Sequence, residues 1–538
     1  MNKENLLILL LTISLSNIYA QTWPKVYINP YDNSIPHCAY ESYDDGILIL
    51  SNYWGTEGLV YAGWIVKTDI NGEVIWERTL GSLTDYFSWF NMMEVTRDSG
   101  LVIALSTRYA DLYPFGIFAD AAFMKLNTCG QLDWCKIINE PGIDNFGQDV
   151  VETNDGYVGM FFNNSTAVNQ NTLVKMDIEG NIQWMLNYDD SLLHLEDWWD
   201  IIVLKDSSYL VTGFGDYYDS TQSEWYEKPV KVNIGPDGNL IDYRILYMDI
   251  DSIDGAQDFF TIEATGGRLY SAGVTETLHK TLRKQSLSEE NPQFFPLSDS
   301  LSYAYSLSWM QDSTIVVAGT MEKPDLWFDI RVELQIVDTM GTILHSRRLL
   351  DDYTGPYYFV STTHDNKILA TGSAGENPYG PMLNTMLFKL TSTLEDDVYD
   401  PTPRVYDYAC PGGVVPHDTI GMEECDIVVS VETLATLPDV AVIEVYPNPV
   451  KDQFQVRLPE FIAIRNNNKG LKTALYQSNY QQQSTLQVFD LSGRFIAEQK
   501  LKQGQLIAEF DASNWAPGMY LLRLVYKDMT VGSAKVVK

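Results

Sequence analysis

The chain is poor in the residues that most enzyme and nucleic-acid chemistry needs. Its 538 residues include six His and five Cys, and Lys plus Arg number 36 against 72 Asp plus Glu. No two His lie at helical metal-ligand spacing, and H-E-x-x-H, G-x-S-x-G, the P-loop and the dinucleotide fingerprint are all missing. The motif-borne zinc peptidase, hydrolase and nucleotide-binding classes therefore have no sequence support. The net charge of −36 argues against a nucleic-acid partner, since an acidic surface repels phosphates. The deficit of cations is uneven: residues 442–538 hold 12 Lys and Arg against 8 Asp and Glu, which leaves net −40 for residues 1–441. After the first twenty residues no apolar run approaches the ~18 residues of a spanning helix, so no transmembrane segment is expected.

Those first twenty residues read as a signal peptide. Lys3 is followed by the apolar run Leu6 to Leu15 and by Ala20 before Gln21. Export into an oxidising compartment permits disulfides. Cys410 and Cys425 share a Pro/Gly-rich stretch and are expected to pair; Cys129 and Cys135 flank one turn and form the second candidate pair, with Cys38 left over.

Aromatics are plentiful, with 13 Trp, 33 Tyr and 21 Phe, and the chain repeats itself. The stretch Trp64 to Gly81, WIVKTDINGEVIWERTLG, alternates apolar and polar residues around Asn71-Gly72 and so reads as a β-hairpin. Weakened copies occupy 122–138, 172–188, 230–246 and 330–349, and the copy at 277–295 is degenerate. Each is preceded by a strand pair turning near Gly46, Gly100, Gly156, Ser207, Gly267, Ser313 or Asn366. Four short strands per unit of ~50 residues is the pattern of a β-propeller, here with seven blades, six or eight remaining open. The last unit lacks an outer strand, and Trp23-Pro-Lys-Val-Tyr-Ile resembles the outer strands that begin at Trp76 and Trp134. An N-terminal strand closing the ring is the expectation. The chain then divides into a signal peptide (1–20), a propeller (21–396), a linker pinned by its own cysteines (397–441) and a C-terminal domain (442–538).

Two groups of residues are candidates for a site. Asp149, Asp200 and Asp258 each begin an innermost strand after Gln or Trp, and equivalent positions in a propeller converge at one mouth of its channel. They would hold a cation there, calcium being the ion considered, or each would accept backbone N–H bonds from the neighbouring blade; because the feature recurs with the repeat, the structural alternative is preferred. Trp199, Tyr217, Tyr218, Trp225 and Tyr226 suit carbohydrate stacking if exposed and core packing if buried, and the 217–226 stretch has the composition of a polar loop. No catalytic residue and no bound cofactor is assigned.

From Ala441 short alternating strands, a turn at Asp490 to Gly493 and Pro517-Gly518 indicate a small antiparallel sandwich of immunoglobulin-like type. Tyr446-Pro447-Asn448-Pro449, Val488-Phe489-Asp490-x-x-Gly493, Gly518-x-Tyr520 and the basic end Lys535-Val-Val-Lys538 resemble the C-terminal sorting domain of type IX secretion cargo. The repeats before it are similar to the propeller ectodomains that precede such domains. The resemblance implies a partner in the outer-membrane translocon, passage through the periplasm, and a secreted or surface-attached product. An inserted polar stretch, Ile464 to Gln483, is expected to lengthen a loop. The propeller is expected to bind a glycan or a protein without catalysis. A hydrolase or lyase with a site built from blade loops, and a structural component of the surface layer, are the alternatives.

Overall fold

The computed structural model describes residues 23–29, 33–54, 61–80, 88–108, 119–139, 144–164, 169–188, 195–219, 224–245, 257–264, 268–274, 279–286, 293–310, 313–323, 326–349, 354–374, 383–410, 412–429, 441–458, 461–465, 472–476, 484–490, 494–502, 505, 507–526 and 529–538. Residues 1–20, expected to be a signal peptide, and the turn at Gly267 lie outside them. The chain forms two compact units, residues 1–426 and 427–538.

In the first unit the strands fall into successive four-stranded antiparallel meanders. The first comprises Asn33–Glu41, Ile47–Trp54, Tyr61–Thr68 and Val74–Leu80, and the second Ser88–Val95, Leu101–Thr107, Asp120–Leu126 and Leu132–Asn139. The third spans Asp144–Thr153 to Ile182–Tyr188, and the fourth Leu195–Val203 to Leu240–Ile245. The long strand Gln293–Trp309 then belongs to two meanders. Its first half pairs with His279–Ser286 and its second half with Thr314–Lys323, which continues to Leu326–Asp338 and Ile343–Arg348. The degenerate copy at 277–295 therefore keeps its strands while losing its sequence signature. The last sheet holds Thr354–Thr362, Ile368–Ala374 and Asn384–Leu390, and Lys25–Tyr27 adds its fourth strand, with Val26 opposite Met386.

That N-terminal strand is the expected closure. Trp23 and Tyr27 enter one buried cluster with Ala39, Ile49 and Trp64 of the first sheet and Leu369 and Leu387 of the last. The arrangement is propeller-like, and a recurring contact sets its pitch. The glycine in four of the outer turns takes positive φ and lies against the aromatic ring of the preceding outer strand: Gly72 on Trp23, Gly130 on Trp76, Gly180 on Trp134 and Gly341 on Phe295, while Gly238 meets Leu186 first. A Cβ at any of the four would stand within 2.9 Å of the ring, so both left-handed backbone and close approach demand glycine there. Buried lysines at one position of the third strand tie back to the first turn: Lys67 to Asp44, Lys125 to Asp98 and Lys175 to Asp155.

The cysteines are all used except Cys38, but the expected pairs are wrong. Cys129 bonds Cys410 and Cys135 bonds Cys425. Cys129 sits in the turn that Asn127 closes, whereas Cys135 lies opposite Met124 within the sheet, so the two face different partners. Between Cys410 and Cys425 the strand His417–Ile420 adds in parallel to Val74–Leu80 and is followed by the 3-10 turn Met422–Glu424, which carries the two thiols apart. Residues 397–426 are thus strapped across the first unit. Asp407 joins Asp44 around the buried Lys67 ammonium, Asn71 exchanges hydrogen bonds with the backbone of Asp400, and Arg78 donates to the carbonyls of Gly130 and Val415.

In the second unit the sheet made by Ala441–Val442, Met529–Val537, Met519–Tyr526, Ser484–Asp490 and Phe495–Lys500 shares one core with the three strands Glu444–Tyr446, Gln453–Arg457 and Ile507–Asp511. The expected longer loop at Ile464 to Gln483 contains strand instead: Lys472–Tyr476 pairs antiparallel with Phe461–Arg465.

Candidate functional site

The innermost strands of the first unit share a β-bulge, which inserts one residue where strand meets rim. The bulges fall between Pro36 and Cys38, Phe90 and Met92, Gly147 and Asp149, Trp198 and Asp200, Asp258 and Phe260, and Ala304 and Ser306. The residue after the bulge turns toward the next sheet. Asp149 Oδ2 accepts the Ile201 N–H at 3.1 Å, Asp200 Oδ2 accepts that of Thr261 at 2.7 Å, and Ser306 Oγ that of Val360 at 3.2 Å. Three residues further on a glutamate latches the opposite way: Glu152 accepts the N–H of Arg97, Glu263 that of Lys205, and Glu41 that of His364. The Glu41 bond crosses from the first sheet to the last.

These strands line an axial cavity of about 250 Å³ in which Tyr40, Glu94, Asp149, Asp200, Phe260 and Phe359 are the side chains with distinctive chemistry. Phe359 meets Tyr40 and Phe260 edge-on, with ring centres 5.2 and 5.9 Å away. Burial, and then the Asp149 charge nearby, push the Glu94 carboxyl up to about 8. Burial and the neighbouring Asp200 raise Asp149 well above the carboxylate range, and burial raises Asp200 also. The cavity thus offers aromatic faces beside carboxyls whose proton affinity burial raises.

The three aspartates singled out from the sequence do not occupy one position. Asp258 pairs with Gly273 ahead of its bulge, and the residue equivalent to Asp149 and Asp200 is Phe260. Asp258 stands before its bulge whereas Asp149 and Asp200 stand after theirs, so matching Gln-Asp dipeptides slipped the alignment by two. Asp149 and Asp200 make the inter-sheet bonds of the structural alternative. Among the described residues no group of three or more His, Cys, Asp or Glu is placed to hold a metal ion. Sequence reasoning missed Glu94 and Tyr40, which stand two residues past Met92 and Cys38; the Glu that recurs three residues past the bulge (Glu41, Glu152, Glu263) marks the inter-sheet latches instead.

Trp199 is the bulged residue of its strand and is 38% exposed beside the buried Trp198. The stretch 217–226 is mostly strand, not loop. Tyr209–Asp219 and Glu224–Ile234 form a long hairpin with Tyr217 opposite Tyr226 and Tyr218 opposite Trp225, and it extends past the Leu195–Gly215 pair that begins the sheet. Its backbone therefore projects from the same end of the same sheet as Trp199.

In the second unit the sorting motifs converge on the C-terminal strand. Asn448 donates to the Lys535 carbonyl at 2.8 Å and accepts the Val537 N–H at 2.9 Å, while Gly518 and Lys538 exchange backbone bonds. Tyr520 pairs with both Asp490 and Val536. Gly493 lies outside the described residues. Tyr446 is exposed and, with Pro447, Gln453, Gln455 and Glu509, edges a second hollow of about 250 Å³.

Residues 444–538 match the family described as "Secretion system C-terminal sorting domain". The match extends over the four converging motifs, and the chain is accordingly type IX secretion cargo, delivered to the cell surface or released. No curated protein matches the sequence. Among solved structures the chain is similar to the β-propeller domain of the Trilobed protease from Pyrococcus furiosus, with 11% identity, a TM-score of 0.40, and coverage of 70% of this chain and 98% of that one. A protein of unknown function from Dyadobacter fermentans has 10% identity and a TM-score of 0.40, over 56% of this chain and 94% of that one. A puromycin hydrolase has 11% identity and a TM-score of 0.45, over 78% of this chain and 64% of that one. No helix among the described residues is long and apolar enough to cross a membrane.

Proposed function

We propose that residues 21–396 are a seven-bladed β-propeller that binds a glycan or a protein without catalysis, and that residues 442–538 are an immunoglobulin-like sandwich whose role is sorting. The observation that carries this reading is the pairing of Trp199 with the 209–234 hairpin. The sheet begun by Leu195–Val203 presents an exposed indole at its bulge and, from the same end, the backbone of a hairpin whose sequence includes Tyr217, Tyr218, Trp225 and Tyr226. Rings on a rim suit stacking on sugar faces or on a partner's apolar side chains. The carboxyls of Asp149 and Asp200, which chemistry would need, are engaged between sheets instead.

The test is retention of the mature chain on immobilised polysaccharides and on a glycan array, alongside Trp199→Ala and Tyr218→Ala/Trp225→Ala. Loss of retention with unchanged melting supports the reading. Equal retention by all variants, or substrate turnover by the wild type, overturns it.

A further inference from the structure

Asp149, Asp200 and Ser306, directly after their bulges, serve the joints between sheets. Two residues past the bulge the innermost strands line the axial cavity again, and there the repeat is broken. The third, fourth and fifth strands contribute the aliphatic Val151, Ile202 and Ile262, whereas the first and second contribute Tyr40 and Glu94. Glu94 gives Oε2 to the Glu152 N–H, and Asp200 gives Oδ2 to that of Thr261. Their other oxygens, and the Tyr40 hydroxyl, have no hydrogen-bond partner among the described residues. Burial, and after it neighbouring groups that include Asp149, Glu94 and Asp200, hold the Tyr40 hydroxyl well above the usual phenol range, so the four share one neighbourhood.

We propose that the axial cavity binds a small organic cation, a primary ammonium carried on an apolar group, with the ammonium among Glu94, Asp200 and Tyr40 and the apolar group against Phe260 and Phe359. No Lys, Arg or His lines the cavity, so its carboxyls face no cation of the chain's own across the space. Their raised proton affinity fits that imbalance, which an ammonium relieves and an anion worsens. The three rings of Tyr40, Phe260 and Phe359 present π faces and edges to the same space, and a desolvated cation gains from such faces. A bare metal ion fits less well, because among the described residues no three metal-ligating side chains come together. The volume of about 250 Å³ lies below the range of roughly 300–1,000 Å³ usual for drug-sized ligands, which sets the ligand's size. The cavity is separate from the rim that carries Trp199, and neither reading depends on the other.

The probe is phenethylammonium, titrated calorimetrically into the full mature chain, with phenethyl alcohol and hydrocinnamate as its neutral and anionic counterparts. Near pH 8.5 Glu94 is chiefly ionised and a primary amine, like that of lysine, is still charged. Saturable binding of the amine with a Kd below about 1 mM is expected, the alcohol binding at least tenfold more weakly and the carboxylate not at all. Glu94→Gln and Phe359→Leu should each weaken the amine at least fivefold, and Trp199→Ala should leave it unchanged. Glu94→Gln decides the matter, because it keeps an oxygen for the Glu152 N–H and so the joint between the sheets. A Kd above about 1 mM, equal binding of amine and alcohol, or equal binding by the wild type and Glu94→Gln overturns the proposal. Loss of binding in Trp199→Ala also overturns it and moves the probe to the rim.

Discussion

Gly72 lies on the indole of Trp23, one of the contacts that join the first sheet to the last. Gly72 has a φ of +81°, and a Cβ there would come within 2.9 Å of the Trp23 ring. The same pair recurs as Gly130 on Trp76 and Gly180 on Trp134. The N-terminal strand is thus an outer strand in every respect except chain order. Trp23 is 5% exposed, and truncating a buried Trp costs about 3 to 5 kcal/mol. Trp23→Ala should lower the urea midpoint accordingly, and deletion of residues 22–29 should lower it further. A midpoint unchanged by either would mean that the strand does not close the ring.

How much of this could be read from the sequence depends on whether the feature repeats locally. Asn71-Gly72 between alternating strands identified the hairpin, and Trp23 was recognised because it begins a copy of the strand at Trp76. The turns were also legible: Ser207, Ser313 and Asn366 all adopt positive φ. What could not be read involves insertions or partners distant in sequence. The bulge that separates Asp258 from Phe260 leaves no sequence trace, so a dipeptide match misled. Cys129 and Cys410 are 281 residues apart, and only the strap between 397 and 426 explains their meeting. The 217–226 end of this hairpin reads as a loop because it is polar and charged, although polar strands are expected where a hairpin extends beyond its sheet.

The strap leads to the second prediction. Cys129–Cys410 and Cys135–Cys425 close loops of 281 and 290 residues, for which chain-entropy arguments give roughly 2 to 5 kcal/mol per bond. Replacing Cys410 and Cys425 by Ala should lower the thermal midpoint. It should also make the 397–426 segment sensitive to protease while the sheets still resist. Protection of that segment identical to the wild type would show that Lys67, Asn71 and Arg78 hold it without the disulfides.

The third prediction concerns pH. Burial chiefly raises the proton affinity of Glu94 to about 8, against 4.5 for the free carboxyl. Between those values the folded chain holds a proton that the unfolded chain has lost, so this group makes stability fall as pH rises through the window. Glu94→Gln removes the titration while keeping an oxygen able to accept the Glu152 N–H. The variant should match the wild type near pH 4.5. Near pH 8.5 it should be more stable, on the order of 1 to 3 kcal/mol after allowing for water in the cavity. Urea melts at three pH values decide it, and parallel curves for the two proteins would remove Glu94 from the account.

The last prediction tests why the sorting signature contains an asparagine between two prolines. Asn448 holds the C-terminal strand through both atoms of its carboxamide, to Lys535 and Val537, and so fixes the chain end beside Gly518. An exposed pair of hydrogen bonds contributes only about 1 to 2 kcal/mol, too little to unfold a unit built on Phe454, Val456, Leu486 and Leu522. Asn448→Ala should therefore leave the sandwich folded but loosen its last strand. If the translocon reads the shape that the converging motifs make, the variant should accumulate in the periplasm, as a chain lacking residues 442–538 should. Asn448→Asp retains an acceptor for Val537 but loses the donor to Lys535, and it should fall between the two in cell fractionation. Normal surface delivery of Asn448→Ala would separate the motif from recognition and reduce Asn448 to a local fastening. Normal delivery of the truncated chain would remove the sorting role from the whole unit.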